Sequence, residues 1–197
     1  SGVVAVPVTA SRHVEELVAG TALTVRRTAH SIAALTAAAA AEDVVFAGAP
    51  TGGLVFPDVV PGYDAVAALC KLLELLALTG RSLTDAVAGL PRPAVVAERV
   101  ACPYAAKGVV MRLVGEALAG RSLELLDGVK ATDERGWVQV LPHPDEPSLL
   151  VFAEGDDGAA SEVLAAEVAE IVAAALATVG EGDADPRRTT ETSLDLR

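Results

Sequence analysis

The stretch from Leu126 to Glu154 constrains the fold of this chain more than any other part of the sequence. It contains three short apolar runs separated by polar turns at Asp133–Gly136 and Pro142–Pro147. Short apolar runs bounded by glycine, aspartate and proline are typical of strands, and strands this close together are joined as hairpins. This stretch therefore predicts a small antiparallel sheet.

The first half of the chain alternates between strand-like and helix-like segments. Apolar runs predict strands at Val3–Val8, Leu23–Arg26 and Asp43–Ala47. Apolar residues at helical spacing predict helices after Thr9–Ser11, after His30–Ser31, over Ala65–Leu78 and from Ser82 to Gly89. In the third of these helices we expect one buried face, made of Leu69, Leu72, Leu73 and Leu76. Alternation of this kind indicates a mixed α/β sheet with helices on both faces.

The segment Pro91–Pro93 cannot continue a helix or a central strand, so we place a domain boundary just beyond it. The second half predicts a strand at Ala94–Ala101, a helix from Pro103 to Ala119, three strands and a last helix over Gly158–Val179. We expect Val109, Val110, Leu113, Val114, Leu118, Val163, Leu164, Val168, Ile171, Val172 and Leu176 to face inward. The predicted fold is thus α/β plus α+β. It consists of a mixed-sheet α/β/α domain (1–93), a small antiparallel sheet covered by two helices (94–179) and a disordered tail (180–197).

Charge and cysteine content narrow the classes of partner. The net charge of −12 argues against nucleic acid or an anionic membrane as partner, because both need a basic surface. A phosphorylated small molecule stays possible, because local geometry can override net charge. The lone thiols Cys70 and Cys102 are expected to be buried in a reducing cytoplasm. We see no apolar run of membrane length and no signal peptide, and the abrupt start at Ser1 suggests a piece of a longer protein.

Two loops are candidates for ligand binding. Gly48–Gly53 contains three glycines and a proline, which mark a tight loop where the backbone can approach a ligand; the alternative is a plain hairpin turn. Leu141–Pro147 is stiffened by its prolines and presents His143, Asp145 and Glu146 in a defined direction.

The three histidines are the titratable candidates for a site. His30 opens a helix, where a phosphate could meet free N–H groups, although it could equally be a neighbour of the N-cap. We expect His13 to face solvent, and His143 to be either a ligand-binding or an ordinary loop residue. Nothing in the sequence places a serine on a strained turn, so a Ser-His-Asp triad is not favoured. The pair Asp156–Asp157 suits a helix start rather than a metal site, and we predict no catalytic residue and no metal ligand.

Several segments, in this order, resemble the last two of the four domains of the α-D-phosphohexomutases, the phosphomannomutases and phosphoglucomutases. The segments are Thr28–Ser31, Gly48–Gly53, Lys71–Leu76, Asp127–Lys130 followed by Gly136–Val138, and Leu141–Pro147. The resemblance implies that Gly48–Gly53 takes the place of the sugar-recognition loop and Leu141–Pro147 that of the phosphate-binding loop. It also implies that His30 faces the substrate.

The chain departs from the family pattern in both loops. The glutamate, serine and histidine of the sugar loop are Ala49, Thr51 and Gly53 here, and alanine accepts no hydrogen bond from a sugar hydroxyl. The phosphate-loop arginine is Leu141, which cannot bind phosphate bidentately. The resemblance therefore implies a weakened site, with the substrate-binding residues His30, Gly48, Thr51, Gly52, Gly53, His143 and Glu146.

The family's phosphorylated serine and magnesium loop lie in domains that this chain does not contain, so the resemblance implies no catalysis and no cofactor here. We expect the C-terminal half of a phosphomannomutase-like protein, most similar to the mutase-like region of bacterial mannose-1-phosphate guanylyltransferase fusions. It would be a cytoplasmic sugar-phosphate-binding, regulatory or assembly module. Its partners would be a hexose phosphate and the missing N-terminal domains, with no nucleic acid and no membrane. Two alternatives stay open: a fragment of an active mutase that moves phosphate between C1 and C6 of a hexose, and a structural interaction domain without a ligand.

Overall fold

The computed structural model describes residues 1–183. The first domain contains β1 (Gly2–Pro7), α1 (His13–Val18), β2 (Leu23–Thr28), α2 (Ile32–Ala39), β3 (Val44–Gly48), β4 (Leu54–Val55), α3 (Ala65–Thr79) and α4 (Leu83–Ala88). Its sheet has the order β2-β1-β3-β4, in which β1 runs parallel to β2 and β3, and β4 runs antiparallel to β3. This is the mixed sheet that the alternating pattern predicts.

Side-chain caps define where three of the helices begin. The side chains of Ser31, Asp64 and Ser82 accept hydrogen bonds from backbone N–H groups three residues ahead, and so start α2, α3 and α4. Helix α3 ends at Gly80, whose φ of 62° is a left-handed conformation that glycine adopts without strain. The predicted starts of these three helices are confirmed.

Both faces of the first sheet are covered. On one face, Leu35 and Ala39 of α2 pack against Ala5 and Val44. On the other face, α1 and the segment before it cover Val4 and Val6. The domain therefore has three layers, α/β/α, with a small core on each side of the sheet.

Helix α3 departs from the prediction. Leu69, Leu72 and Leu73, expected on its buried face, are 55%, 37% and 56% exposed, and Ala67 is the only buried residue of the helix. Cys70, expected to be buried, is also exposed. The helix packs on the domain near β4, at the edge of the sheet, so most of its apolar surface lies beyond the strands that could cover it.

The second domain is an antiparallel sheet with helices on one face. It contains β5 (Val96–Ala101), a 3₁₀ turn (Tyr104–Ala106), α5 (Lys107–Ala117), β6 (Ser122–Glu124), β7 (Val129–Asp133), β8 (Gly136–Pro142), β9 (Ser148–Glu154) and α6 (Gly158–Asp183). The strand order is β5-β9-β8-β7-β6, and every neighbouring pair is antiparallel. The predicted fold class is confirmed, and β6 is an additional edge strand that the sequence did not predict.

The core of this domain lies between the sheet and the two helices α5 and α6. Val110, Val114 and Leu164 are fully or almost fully buried there, as expected. Val109 and Val163 were expected to face inward, but they are 43% and 64% exposed. Each lies one residue before a buried position. Successive residues of a helix are about 100° apart around its axis, so these two side chains point away from the sheet.

Glycine defines the hairpin between β7 and β8. Gly136 pairs with Asp133 and has a φ of 140°, in the region that favours glycine. A Cβ atom at this position would collide with the carbonyl oxygen of Glu154. The turn can therefore approach β9 closely only with glycine at this position.

Helix α6 is longer than predicted and continues to Asp183. Contrary to the expectation from the sequence, Gly158–Gly180 is long and apolar enough to cross a membrane by length and composition. One side of the helix, however, packs on the sheet through Leu164, Ala165, Val168, Val172 and Ala175. That side of the helix therefore forms part of the core of the second domain. The rest of the predicted tail lies outside the described residues.

Candidate functional site

A buried carboxylate joins the two domains. Glu154, at the end of β9, has no exposed surface. Its carboxylate accepts hydrogen bonds from the Arg12 backbone N–H at 2.9 Å, from Trp137 Nε1 at 2.6 Å and from the Ser11 hydroxyl. Three donors from both domains replace the water that this charge gives up on burial. The segment that follows β1 is thereby held against the end of β9.

His13 belongs to the same junction. Its Nδ1 is buried and lies 3.9 Å from Glu154 Oε1, and the side chain is 21% exposed. The expectation that His13 faces solvent is therefore wrong. The short helix α1 directs its first residue towards the second domain, which the local sequence pattern did not indicate.

Lys130, on β7 of the second domain, also contacts the first domain. Its Nζ donates a hydrogen bond to the Val8 carbonyl at 2.8 Å and lies 4.3 Å from the centre of the Trp137 ring. Burial, with a smaller contribution from the nearby Arg27 guanidinium, lowers the pKa of Lys130 to about 8. Lys130 thus contacts the first domain through a backbone carbonyl rather than through an acidic side chain.

His30 is held by both domains. Its Nδ1 lies 2.8 Å from Thr9 Oγ1, and its backbone N–H donates to Asp127 Oδ2 at 2.7 Å. Its ring centre is 5.4 Å from that of Phe152. Burial lowers the pKa of His30, and the opposing effect of Asp127 is smaller, so the imidazole is neutral near pH 7. Because Thr9 occupies Nδ1, Nε2 is the ring nitrogen available to a ligand.

The glycine-rich loop lies next to His30. Hydrogen bonds from Ala49 N to the Gly53 carbonyl and from Gly52 N to the Ala49 carbonyl close this loop, which is the turn of the β3–β4 hairpin. A Cβ atom at Gly53 would lie 2.5 Å from the Tyr63 ring, so glycine lets this ring pack on the loop. The backbone of Gly48–Gly53 is therefore a hairpin turn, the alternative considered in the sequence analysis.

A small cavity of about 150 Å³ connects the loop with His30. His30, Ser31, Thr51 and Tyr63 line it and supply its side-chain hydrogen-bonding groups, and Pro7, Ile32, Leu35 and Ala49 complete its walls. The structure thus brings two of the predicted site residues, His30 and Thr51, to one concave surface. Gly48, Gly52 and Gly53 shape the loop and do not line this cavity.

The second predicted loop is pinned to the 3₁₀ turn and α5. Lys107 Nζ donates to the carbonyls of His143 and Glu146 at 2.5 Å each, and the Tyr104 hydroxyl donates to the Asp145 carbonyl at 2.7 Å. The Glu146 carboxylate pairs with Arg99 and lies 3.9 Å from His143 Nε2. The polar groups of this loop that could bind a ligand are thus already paired with other residues of the second domain.

The structure does not bring the two loops to one electropositive pocket. The walls of the cavity at His30 come from the first domain alone, and neither His143 nor Glu146 lines it. The basic residues that could have supplied positive charge are engaged elsewhere: Arg26 with Asp43, Arg27 with Glu15, Arg135 with Asp133 and Glu167, and Lys130 with Val8.

Sequence reasoning missed Thr9, Tyr63 and Asp127 as residues that shape the site. Asp127 could have been noticed, because it is the first residue of the Asp127–Lys130 motif of the family. Its contact with His30 could not be predicted, because the two residues are 97 positions apart in the sequence. Within the part of the chain that the structure describes, no group of three or more His, Cys, Asp or Glu residues could hold a metal ion.

The fold is an α/β/α domain with a glycine-rich hairpin beside a histidine, followed by a small antiparallel domain covered by helices. Residues 1–93 match the family model for phosphoglucomutase/phosphomannomutase, alpha/beta/alpha domain III. The first domain therefore belongs to the α-D-phosphohexomutase family, in agreement with the resemblance seen in its motifs.

Two relatives illustrate the similarity in sequence. The chain is 35% identical over 173 residues to a probable phosphoglucosamine mutase of Methanopyrus kandleri, a match that covers 87% of this chain and 38% of the relative. It is 29% identical over 125 residues to a phosphoglucomutase/phosphomannomutase of Thermococcus kodakarensis, covering 63% of this chain and 26% of the relative. The chain thus spans well under half of the relatives that it matches.

Solved structures share the fold. A phosphoglucomutase/phosphomannomutase family protein from Burkholderia thailandensis superposes with a TM-score of 0.73 at 17% identity, covering 92% of this chain and 38% of that one. An N-acetylphosphoglucosamine mutase from Aspergillus fumigatus, solved with GlcNAc-6P and magnesium, gives 0.68 at 14% identity, covering 88% and 39%. At these identities the likeness shows the fold alone.

Proposed function

We propose that this chain is the sugar-recognition half of a phosphohexomutase-like protein and that it performs no phosphoryl transfer by itself. The observation that carries the proposal is the position of His30. Its neutral imidazole contacts Thr9 of the first domain and the Phe152 ring of the second, and Asp127 of the second domain accepts its backbone N–H. The same imidazole lines one small cavity with Thr51. Such fixed orientation is typical of groups that recognise a ligand rather than groups that only fill space.

The ligand that suits this cavity is a hexose phosphate bound mainly through its hydroxyl groups. Ser31, Thr51, Tyr63 and His30 Nε2 offer donors and acceptors of the kind that sugar hydroxyls need. The volume of about 150 Å³ is below that of most small-molecule sites, so only part of a sugar ring is enclosed. The arginine of the phosphate loop is replaced by Leu141, so the phosphate contributes little and binding is weak.

The parent protein is part of the same proposal. We propose that this region follows a mannose-1-phosphate guanylyltransferase in a cytoplasmic fusion and acts there as a regulatory or assembly module. The support is the loss of binding chemistry in both loops, at Ala49 and Leu141, while the fold is retained. The missing domains of the parent would be its partners, and nucleic acid and membranes would not.

The main alternative is a piece of an active mutase that moves phosphate between C1 and C6 of a hexose. The 35% identity to a probable phosphoglucosamine mutase favours it, and the N-terminal domains would then supply the reacting serine and the metal site. A structural domain without a ligand is the second alternative. The engaged side chains of the loop at His143 and Glu146 favour that reading for the second domain.

The test is an NMR titration of the three histidine ring signals with mannose 1-phosphate and, separately, glucosamine 6-phosphate. We expect the His30 signals to shift saturably, with an apparent Kd of about a millimolar, while His13 stays unchanged because it is enclosed at the domain junction. If His143 shifts as well, the second loop takes part. A preference for the amino sugar supports the mutase alternative over the mannose-linked reading.

Two controls make the result decisive. Sodium phosphate tests whether the anion alone causes the shift, and Thr51→Val removes a cavity hydroxyl with little change in shape. Thr51→Val should weaken sugar-phosphate binding by about tenfold, the cost of one lost hydrogen bond. If no histidine signal moves at sugar-phosphate concentrations about tenfold above a millimolar, this chain does not bind the ligand unaided, and the structural alternative is preferred.

A further inference from the structure

A second and larger cavity lies where the two domains meet. Its volume is about 520 Å³. Its walls include Val14 and Phe46 of the first domain and Val95, Ala97 and Phe152 of the second domain. It is therefore distinct in position and composition from the small cavity beside Ser31 and Tyr63, although Ala49 and Thr51 border both.

This second cavity is apolar and uncharged. Its described lining includes no charged side chain, and its hydroxyl groups come from Thr9, Ser11 and Thr51. Two of these hydroxyls are already used, because Thr9 contacts His30 and Ser11 donates to Glu154. Thr51 is exposed and, among the described contacts, makes no side-chain hydrogen bond, so it can pair with a ligand.

We propose that the cavity binds a neutral, mainly apolar small molecule that carries an aromatic or fused ring and one hydrogen-bonding group. The volume is within the range of about 300–1,000 Å³ of small-molecule sites, which occur preferentially between domains. Phe46 and Phe152 offer ring surfaces for stacking, and Thr51 offers one polar contact. A sugar phosphate is excluded, because its charge would lose water and meet no cation.

The position of the cavity gives its ligand a structural effect. Both domains contribute to its walls, so a bound molecule stabilises the observed arrangement of the domains by mass action. Phe152 lines the cavity and also packs on the His30 ring, at 5.4 Å between centres. Occupancy is therefore expected to change the NMR signals of His30 without any sugar phosphate present.

The experiment uses N-phenyl-1-naphthylamine, a neutral fluorescent aromatic probe. We expect a saturable rise in its fluorescence and a parallel shift of the His30 ring signals. Ala97 lies at the rim of the cavity with its side chain exposed, so Ala97→Trp fills the cavity without disturbing the core. This variant should weaken probe binding by at least about tenfold. Ala159→Trp, at an exposed position on α6, is the matched control and should stay within about twofold.

The exposed leucines of α3 are the competing apolar surface, and Leu73→Ser tests them. The proposal is overturned if the probe does not saturate, if Ala97→Trp binds it like the wild type, or if Leu73→Ser abolishes binding. The probe carries no sugar and no phosphate. This outcome is therefore independent of the sugar-phosphate titration, and either proposal can fail while the other stands.

Discussion

Glu154 is the clearest case of a single residue that holds the two domains together. Its carboxylate lies entirely within the protein, where an unpaired charge would cost several kcal/mol. The three donors from Ser11, Arg12 and Trp137 compensate for the lost water. A carboxylate oxygen pair accepts all three bonds, which no neutral side chain of this size can do.

We predict that Glu154→Gln lowers the free energy of unfolding by about 2 kcal/mol, because its amide NH₂ would face hydrogen-bond donors. Urea denaturation followed by circular dichroism measures this loss. Glu162→Gln, at an exposed position on α6, is the matched control and should change stability by less than about 0.5 kcal/mol. Equal effects of the two substitutions would contradict the role of Glu154.

Lys130 makes stability depend on pH in a defined direction. Its pKa in the folded protein is about 8, compared with 10.5 for an unperturbed lysine, so the unfolded chain binds more protons between these values. The stability of the wild type relative to Lys130→Met should therefore rise as the pH increases from about 8 to about 10.5. Urea denaturation of both proteins across this interval measures the difference.

Lys71→Met is the control for this pH dependence. Asp58 raises the pKa of Lys71, so this lysine stays charged in the folded protein throughout most of the interval. The wild type should gain no stability relative to Lys71→Met over the same pH range. A pH-independent difference between the wild type and Lys130→Met would show that Lys130 is not desolvated.

Among the secondary-structure elements, helix α3 and strand β9 contrast most clearly. Both are rich in leucine, and by composition alone both are suited to a core. Strand β9 lies between β5 and β8, under α6, and its Leu149 is fully buried. Helix α3 lies at the edge of the first sheet, and most of its leucines are exposed. The position of an element in the layer, rather than its composition, decides which of its apolar side chains are buried.

The two leucines Leu149 and Leu73 test this contrast. We predict that Leu149→Ala costs about 2–5 kcal/mol of unfolding free energy, because it leaves a cavity in the core. Leu73→Ala, at a side chain that is 56% exposed, should cost less than about 0.5 kcal/mol. Thermal denaturation of both variants provides the comparison. A large loss in Leu73→Ala would mean that α3 packs more tightly than its exposure indicates.

The molecule as a whole should unfold as one unit. Hydrogen bonds of Glu154, Lys130 and Asp127 cross between the domains, and His30 also packs against Phe152. Losing either domain would leave these buried polar groups without partners, at a cost comparable to the stability of a small domain.

Trp137 allows this coupling to be measured. It is the sole tryptophan of the chain, is 3% exposed and hydrogen bonds to Glu154. We predict that its fluorescence and the far-UV circular dichroism, which reports helices in both domains, change at the same urea concentration. Two separate midpoints would show that the domains unfold independently.

Local sequence features account for most of the fold. Capping residues at Ser31, Asp64 and Ser82, the glycine at 136 and the apolar runs of the second half act within a few residues of the chain, so they can be read without the structure. They predict the mixed sheet, the antiparallel sheet and the order of the helices. The motifs at His30 and Asp127–Lys130 also indicate the family.

The tertiary structure decided which residues that are distant in the sequence contact each other. The contact of His30 with Asp127, the burial of Glu154, the inward position of His13 and the exposure of α3 all depend on how distant segments pack. A local pattern defines the apolar face of a helix or strand but not the element that covers it. The covering element determines how deeply a site residue is buried, which groups it contacts and how its pKa shifts. These properties can therefore be known only from the packed structure of both domains.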